Sequence, residues 1–255
     1  MAEDAGADSP DRPPGYPVVA NRLLIIGDSL AMGAAEVSNT EVTRFISPAF
    51  PDLLRTLLPQ LEIILTCGVR FDTDVAVKQL PDLLKAHRPA VVFAAVGGSD
   101  CDLDWRKAIL SNGKRSRSRV SLENYEKNLR QIVALSRAAG AKPILAEGTS
   151  CSIEMRGIYY TRLSGIDVVA MTIAGGGQQT NDTRVESYRQ TVRRVAADLQ
   201  VDLAVSPAPL ASEDPHIIFT EDGVHLSVVA HRYLASTYAD VLRRAFDLHA
   251  GSAVA

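Results

Sequence analysis

Leu23-Leu24-Ile25-Ile26-Gly27-Asp28-Ser29-Leu30 is the stretch that decides how this chain folds. Four consecutive aliphatic residues, two of them β-branched, are too few for a helix and suit a strand buried on both faces. Gly27 ends the run, and a polar Asp-Ser pair follows where the strand gives way to a loop.

The same signature recurs downstream. Ile63–Thr66 leads to Gly68, Ala90–Val96 (AVVFAAV) leads to Gly97-Gly98, and Ile144–Ala146 and Val201–Val205 are two further short apolar runs. Helical patterns lie between and around them. In Phe50–Leu58 the residues Leu53, Leu54, Leu57 and Leu58 share one face. Asp72–His87 reads as a helix interrupted or kinked at Pro81, which lacks a donor and crowds the preceding turn. Ser121–Ala139 carries a stripe of Leu122, Tyr125, Leu129, Ile132 and Val133, with Gly140 where a C-terminal cap belongs. Arg184–Asp198 and Ser227–Leu248 complete the set. Short buried strands alternating with helices predict an α/β chain. The expectation is a three-layer α/β/α, flavodoxin-like five-stranded parallel sheet of order 2-1-3-4-5, with helices on both faces.

Composition agrees and excludes several classes. Of 255 residues, 46% are hydrophobic and 22% charged, an ordinary globular mix that argues against bulk disorder or fibrous repeats. The net charge of −3 offers no electrostatic ground for a nucleic-acid partner or an anionic membrane surface. Met1–Pro17 is acidic and rich in Pro and Gly, without the basic start and apolar run of a secretory signal. The predicted organisation is a disordered tail at 1–20, a folded domain at 21–247 and a flexible tail at 248–255. No stretch is apolar over 18 residues, so no membrane span is expected. Cys67, Cys101 and Cys151 are too few for a disulfide framework, and the cytoplasm is the expected compartment.

The chemistry-bearing residues sit in the loops. Gly27-Asp28-Ser29-Leu30 follows the first strand, Cys67-Gly68-Val69 the second and Gly97-Gly98-Ser99-Asp100 the third, while Asp222-Gly223-Val224-His225 precedes the last helix. Sites in open α/β sheets lie beyond the carboxyl ends of strands where the strand order reverses. With order 2-1-3-4-5 the first three loops converge there. A serine hydroxyl needs an adjacent base to become a nucleophile. At a strand-to-helix turn it is exposed, and the following helix offers free N–H groups to a developing oxyanion. An Asp and a His three residues apart in one turn can share a hydrogen bond that sets the imidazole tautomer.

Taken together these blocks resemble the SGNH (GDSL-type) hydrolase family, over about residues 22 to 245. Gly27-Asp28-Ser29-Leu30 corresponds to the family's first block, Gly68 to the second and Asp222-x-x-His225 to the last. The resemblance implies that Ser29 is the nucleophile, His225 the general base and acid, and Asp222 the residue that orients His225. It implies an oxyanion hole of the Ser29 and Gly68 N–H groups with a third donor from block three. That block is usually Gly-x-Asn-Asp; here Ser99 stands in place of the Asn, on a shorter arm. Block two departs as well, since Thr66 and Phe71 stand where the family often has Asn and Gly. Asp28 and Asp100 are expected to support the site by accepting backbone N–H groups.

The implied activity is a serine-dependent acyl hydrolase acting on a small ester or thioester through an acyl-enzyme, without cofactor or metal. The alternatives are an acyltransferase or sugar O-deacetylase on the same triad, or a low-activity binding module that kept the fold. A flavodoxin-like nucleotide-binding protein would need a glycine-rich phosphate loop after the first strand, and none is there. The remaining histidines, His87, His216, His231 and His249, are expected to serve surface or packing roles. Lys114-Arg115-Ser116-Arg117-Ser118-Arg119 is expected to be a solvated loop; a carrier-protein or coenzyme A phosphate is a weaker possibility for it. A long segment around Gly175-Gly176-Gly177-Gln178-Gln179 is expected to cover the pocket as a mobile flap, with selectivity placed there and around Trp105.

Overall fold

In strand β1 (Val19–Gly27), Leu23 and Ile25 face one side of the sheet and Leu24 and Ile26 the other, and all four are completely buried. A strand apolar on both faces has to lie inside a sheet covered on both sides. The architecture follows from that requirement in the computed structural model, which describes residues 17–38, 41–114 and 116–248. After β1 come an antiparallel hairpin, β2 (Ala34–Ser38) and β3 (Glu41–Phe45), then α1 (Phe50–Leu57), β4 (Glu62–Cys67), α2 (Thr73–His87) and β5 (Pro89–Ala95). Two short helices, α3 (Gly98–Cys101) and α4 (Trp105–Leu110), precede α5 (Leu122–Ala138) and β6 (Lys142–Ala146). The chain continues through α6 (Ile153–Ser164), α7 (Val168–Ala174), α8 (Gly177–Leu199) and β7 (Asp202–Ala204). It ends on α9 (Pro209–Ser212), α10 (Pro215–Ile218) and α11 (Val228–Ala245).

The five-stranded sheet is parallel, in the order β4-β1-β5-β6-β7. The numbering differs in detail from the expected one because the unforeseen hairpin takes two numbers between the first and second sheet strands. One layer packs Leu54 of α1 and Leu234 and Tyr238 of α11 against Leu23, Ile25, Val91 and Phe93. There Tyr238 meets Phe50 and Phe93 edge-on, at ring separations of 5.2 and 4.8 Å. The other layer packs Leu80 of α2, Leu129 and Ile132 of α5 and Val192 of α8 against Leu24, Ile26, Val92 and Leu145. Each fully buried Leu or Ile of this kind contributes roughly 1.5–3 kcal/mol relative to exposure.

Several boundaries move. Helix α2 runs through Pro81 without interruption. Pro81 is on the exposed face, where solvent can satisfy the carbonyl that loses its partner. No helix directly follows Ser29: residues 29–33 form turns, closed by Met32 N–H on Asp28 O (3.3 Å) and Gly33 N–H on Leu30 O (3.0 Å), before β2 begins. Helix α8 starts seven residues before the expected Arg184, and the supposed flap is occupied by α6, α7 and the first turn of α8. Gln178 ties that turn down, accepting from Ile153 N–H at 2.8 Å and donating to Cys151 O at 2.9 Å. The last helix ends at Ala245 rather than Leu248. Of the expected tails, residues 1–16 and 249–255 lie outside the described residues, while Val19 and Ala20 belong to β1. Among the described residues no helix is long and apolar enough to cross a membrane.

Candidate active site

Strand β1 lies between β4 and β5, and its register sets Gly27 beside both Cys67 and Ala95. The three loops therefore leave the sheet at one level, in the crevice where the strand order turns. Asp28, 3% exposed, ties two of them together. Its Oδ1 accepts from Leu30 N–H at 3.0 Å and its Oδ2 from Ser99 N–H at 3.2 Å, across 71 residues of sequence. Burial pushes this carboxyl up, and the two backbone donors pull it part of the way back. A side chain at Gly98 would put a Cβ 2.8 Å from Asp28 Oδ2, so only glycine allows this closeness. Asp100 is fully buried and anchors the same loop to the start of α2, accepting from Thr73 N–H at 3.0 Å and Thr73 Oγ1 at 2.5 Å. Burial raises the Asp100 carboxyl to about 7, against the Thr73 hydrogen bonds that lower it.

The fourth loop arrives from the far end of the chain. Phe219 and Leu226 bridge, Thr220 N–H donates to His225 O at 2.8 Å, and the four residues between them turn back sharply. Gly223 adopts φ +72°, where a Cβ would lie 2.7 Å from Arg156 N and from Ser152 O. This lets the loop lie flat on the start of α6. Inside the turn, Asp222 Oδ1 accepts from Val224 N–H (3.1 Å), His225 N–H (3.0 Å) and Thr220 Oγ1 (3.0 Å). Its Oδ2 faces His225 Nδ1 at 2.5 Å, and His225 Nε2 faces Ser29 Oγ at 2.8 Å. Burial alone would raise the Asp222 carboxyl, but the His225 contacts and the Arg156 charge outweigh it and hold it at about 2.

The expected residues are thus brought to one place, with differences in what each offers. Ser29 is half-buried and its oxygen is within reach of a base. Ser29 and Gly68 make no turn or loop hydrogen bond through their N–H groups among the described residues, and a Cβ at Gly68 would meet nothing within 4 Å. Ser99 has already committed its N–H to Asp28, so only its hydroxyl, which makes no hydrogen bond among the described residues, is left to face the cleft. Trp105 does not line the cleft. It is 2% exposed, stacks on Tyr160 at 5.1 Å and donates from Nε1 to Asp102 Oδ1 at 2.9 Å.

The cleft has about 800 Å³ of empty space including its open mouth, and its far wall is one that sequence reasoning missed. Arg156 on α6 and Arg184 on α8 line it, together with Arg119 from the basic run. Arg115 of that run is outside the described residues and Arg117 is exposed, but Arg119 turns inward toward Asp102. Arginines are ordinary surface residues, and 28 to 65 positions separate these three, so no local pattern announces them.

The three cysteines are free thiols. Cys101 and Cys151 line the cleft but are buried, which raises both thiols, Cys151 to about 11, so neither is a thiolate nucleophile near neutrality. His231 is wholly buried in α11 and accepts from Phe50 N–H at 3.3 Å; burial lowers it to about 4, so it stays neutral. His216 is exposed, His87 half-buried, and His249 outside the described residues. Among the described residues no three His, Cys, Asp or Glu side chains are grouped to hold a metal.

Comparison with known proteins places this geometry in context. The model of the GDSL-like Lipase/Acylhydrolase family matches residues 25–233. Thioesterase 1/protease 1/lysophospholipase L1 of Escherichia coli strain K12 is 30% identical over 129 residues, 50% of this chain and 51% of that protein. The chain therefore spans about half the length of the curated relatives it matches. Among solved structures, TesA superposes with a TM-score of 0.57 at 20% identity, covering 88% of this chain and 99% of that one. The lipase/acylhydrolase from Enterococcus faecalis gives 0.61 at 15% identity, covering 88% and 96%. A catalytic mutant of Axe2, an acetylxylan esterase from Geobacillus stearothermophilus, gives 0.58 at 19% identity, covering 92% and 97%. At such identities the structural likeness speaks for the fold alone.

Proposed function

The chain belongs to the GDSL-like lipase/acylhydrolase family, and from that premise we propose that it is a serine acyl hydrolase working through an acyl-enzyme on Ser29. The observation that carries this reading is the unbroken hydrogen-bonded chain from Ser29 Oγ through His225 to Asp222, at 2.8 and 2.5 Å. The 2.8 Å from Ser29 Oγ to His225 Nε2 is within the reach that proton transfer to a general base requires.

In the proposed reaction Ser29 Oγ attacks the carbonyl carbon of an ester or thioester while its proton passes to His225 Nε2. Asp222 holds His225 with its Nδ1 protonated, leaving Nε2 as the acceptor, and stabilises the imidazolium that forms. The oxyanion is received by the N–H groups of Ser29 and Gly68, with the Ser99 hydroxyl as the third donor. Collapse expels the alcohol or thiol, which takes the proton from His225, and leaves an acyl ester on Ser29. Water then attacks that ester by the same steps in reverse roles, releasing a carboxylic acid and free Ser29. Asp28 and Asp100 act as positioning residues, because their carboxylates hold the loops that carry Ser29, Ser99 and Thr73.

The substrate class is a small acyl ester or thioester. Thioester and lysophospholipid cleavage, both in the name of the Escherichia coli relative, and acetyl removal, in the name of the Geobacillus one, are variants of this one acyl transfer. The free thiols suit a reducing compartment such as the cytoplasm. The test is labelling with a fluorophosphonate probe beside hydrolysis of 4-nitrophenyl esters. Wild-type labelling and turnover, both lost in Ser29→Ala by roughly 10⁵-fold in kcat, are expected. An unlabelled wild type without ester turnover would sink the proposal.

A further inference from the structure

Among the described residues, the far wall of the cleft sets three arginines beside one directly paired carboxylate. Arg156, 5% exposed, gives one Nη2 hydrogen bond to Asp102 Oδ2 at 2.8 Å and rests its guanidinium 5.3 Å from the ring centres of both Trp105 and Tyr160. Arg119 shares the same Asp102 oxygen at 3.6 Å, beyond hydrogen-bond length. Arg184 donates to the neutral Asn181 Oδ1 at 2.6 Å. Three guanidinium groups are thus set against one carboxylate. Of the other acids of the cleft, Asp28 accepts from Leu30 and Ser99, and Asp222 is hydrogen-bonded to His225 and reaches Arg156 only through its charge, without a hydrogen bond. Asp182, next to Asn181, is exposed and outside the lining, and accepts from Ser150 and Gln178.

A second observation points the same way. The Nε–H groups of Arg119, Arg156 and Arg184 are all buried and find no acceptor among the described residues. A buried donor on a charged group that lacks an acceptor is costly, and most such groups in folded proteins are paired. Here all three are in residues that line one cleft, the one containing Ser29, Ser99 and His225. The Asp102 pair accounts for Nη2 of Arg156 but leaves its Nε–H unanswered. An oxyanion group is the natural complement, because carboxylate and phosphate oxygens accept charge-assisted hydrogen bonds from guanidinium donors.

We infer that Arg119, Arg156 and Arg184 form a subsite for an oxyanion group, a carboxylate or phosphate, carried by the substrate near its scissile ester. The inference rests on the acyl-hydrolase reading and gives that site a substrate class: esters with one negative charge built in, on the acyl or the leaving-group side. It also gives the basic run a role, since Arg119 is the member that turns into the cleft.

Two matched ester pairs test it. Mono-4-nitrophenyl adipate against 4-nitrophenyl hexanoate carries the charge on the acyl side; 4-acetoxybenzoate against 4-acetoxybenzamide carries it on the leaving group. In at least one pair the charged ester is expected to be favoured about tenfold or more in kcat/KM, the factor of one good charge-assisted contact. Arg184→Gln, half-buried and less exposed to misfolding than Arg156, is expected to cut that ratio at least fivefold. Turnover of the neutral esters with ratios at or below one in both pairs would overturn the subsite and leave the hydrolase standing. A preference untouched by Arg184→Gln would overturn the assignment to these arginines. If no ester is hydrolysed and Ser29 does not label, the hydrolase reading fails, and calorimetric titration with inorganic phosphate and with adipate decides the subsite. Binding by either that weakens fivefold or more in Arg184→Gln supports it, and absence of heat with both refutes it.

Discussion

The two sides of the cleft are built on opposite principles. On the side of Ser29, every carboxylate has its hydrogen bonds made: Asp28 accepts two backbone N–H groups, Asp100 a backbone N–H and a hydroxyl, and Asp222 three donors besides the His225 ring. The side of Arg156 leaves three buried guanidinium Nε–H donors without acceptors among the described residues, with Asp102 shared by Arg119 and Arg156 and Arg184 bonded to Asn181. The first arrangement is preorganised, since its donors and acceptors already stand around the Ser29–His225 contact on which the proposed reaction depends. The second is incomplete by itself, and incompleteness of that kind is what a specificity pocket needs. In the reading proposed above, reactivity and selectivity are therefore separate properties of separate walls.

Substitutions can break that separation or sharpen it. The largest effect after loss of the nucleophile belongs to Asp222→Asn, which keeps the shape of the turn but lets His225 adopt the wrong tautomer. A fall in kcat of about 10⁴-fold is expected on charged and neutral esters alike, and a loss confined to one class would blur the two walls. On the other side, Asp102→Asn leaves Arg156 and Arg119 without a counter-charge. Breaking a buried pair in this way should lower the unfolding free energy by roughly 3 kcal/mol, read as an earlier urea midpoint. A midpoint within error of wild type would mean that the arginine wall is held by packing against Trp105 and Tyr160. The smallest effect is expected at the junction of the two sides: Ser99→Asn lengthens the third oxyanion donor and should raise kcat severalfold, part of the 10²–10³-fold that such a donor is worth elsewhere. Unchanged or reduced turnover would mean that the hydroxyl already does the work.

The difference between the walls is also a difference in legibility. The strands of the sheet are readable because burial on both faces demands short aliphatic runs, and Leu23–Ile26 and Ala90–Val96 are such runs. Asp222 and His225 are readable because three residues in one turn determine their separation. The hairpin β2–β3 went unseen because its strands lie outside the five-stranded sheet, with no run of aliphatic residues to mark them. The first turn of α8 went unseen because Gly175, Gly176 and Gly177 read as loop, whereas Gly176 and Gly177 take positive φ and the helix proceeds from there. Trp105 was misplaced because a lone tryptophan gives no sign whether it faces a cavity or supports the residue that does.

By itself, the sequence determined the parallel sheet and the loops at its carboxyl edge, and the resemblance of those loops to a known family pointed to the serine, histidine and aspartate that meet there. Each of these depends on interactions local to a strand or a turn, so each leaves a pattern within a few residues. Only the tertiary structure decided that Arg119, Arg156 and Arg184, drawn from a loop and two different helices, share one wall of the cleft. Burial of a charge is a property of what surrounds it in space, and nothing in the neighbouring sequence distinguishes a solvated arginine from one waiting for an anion.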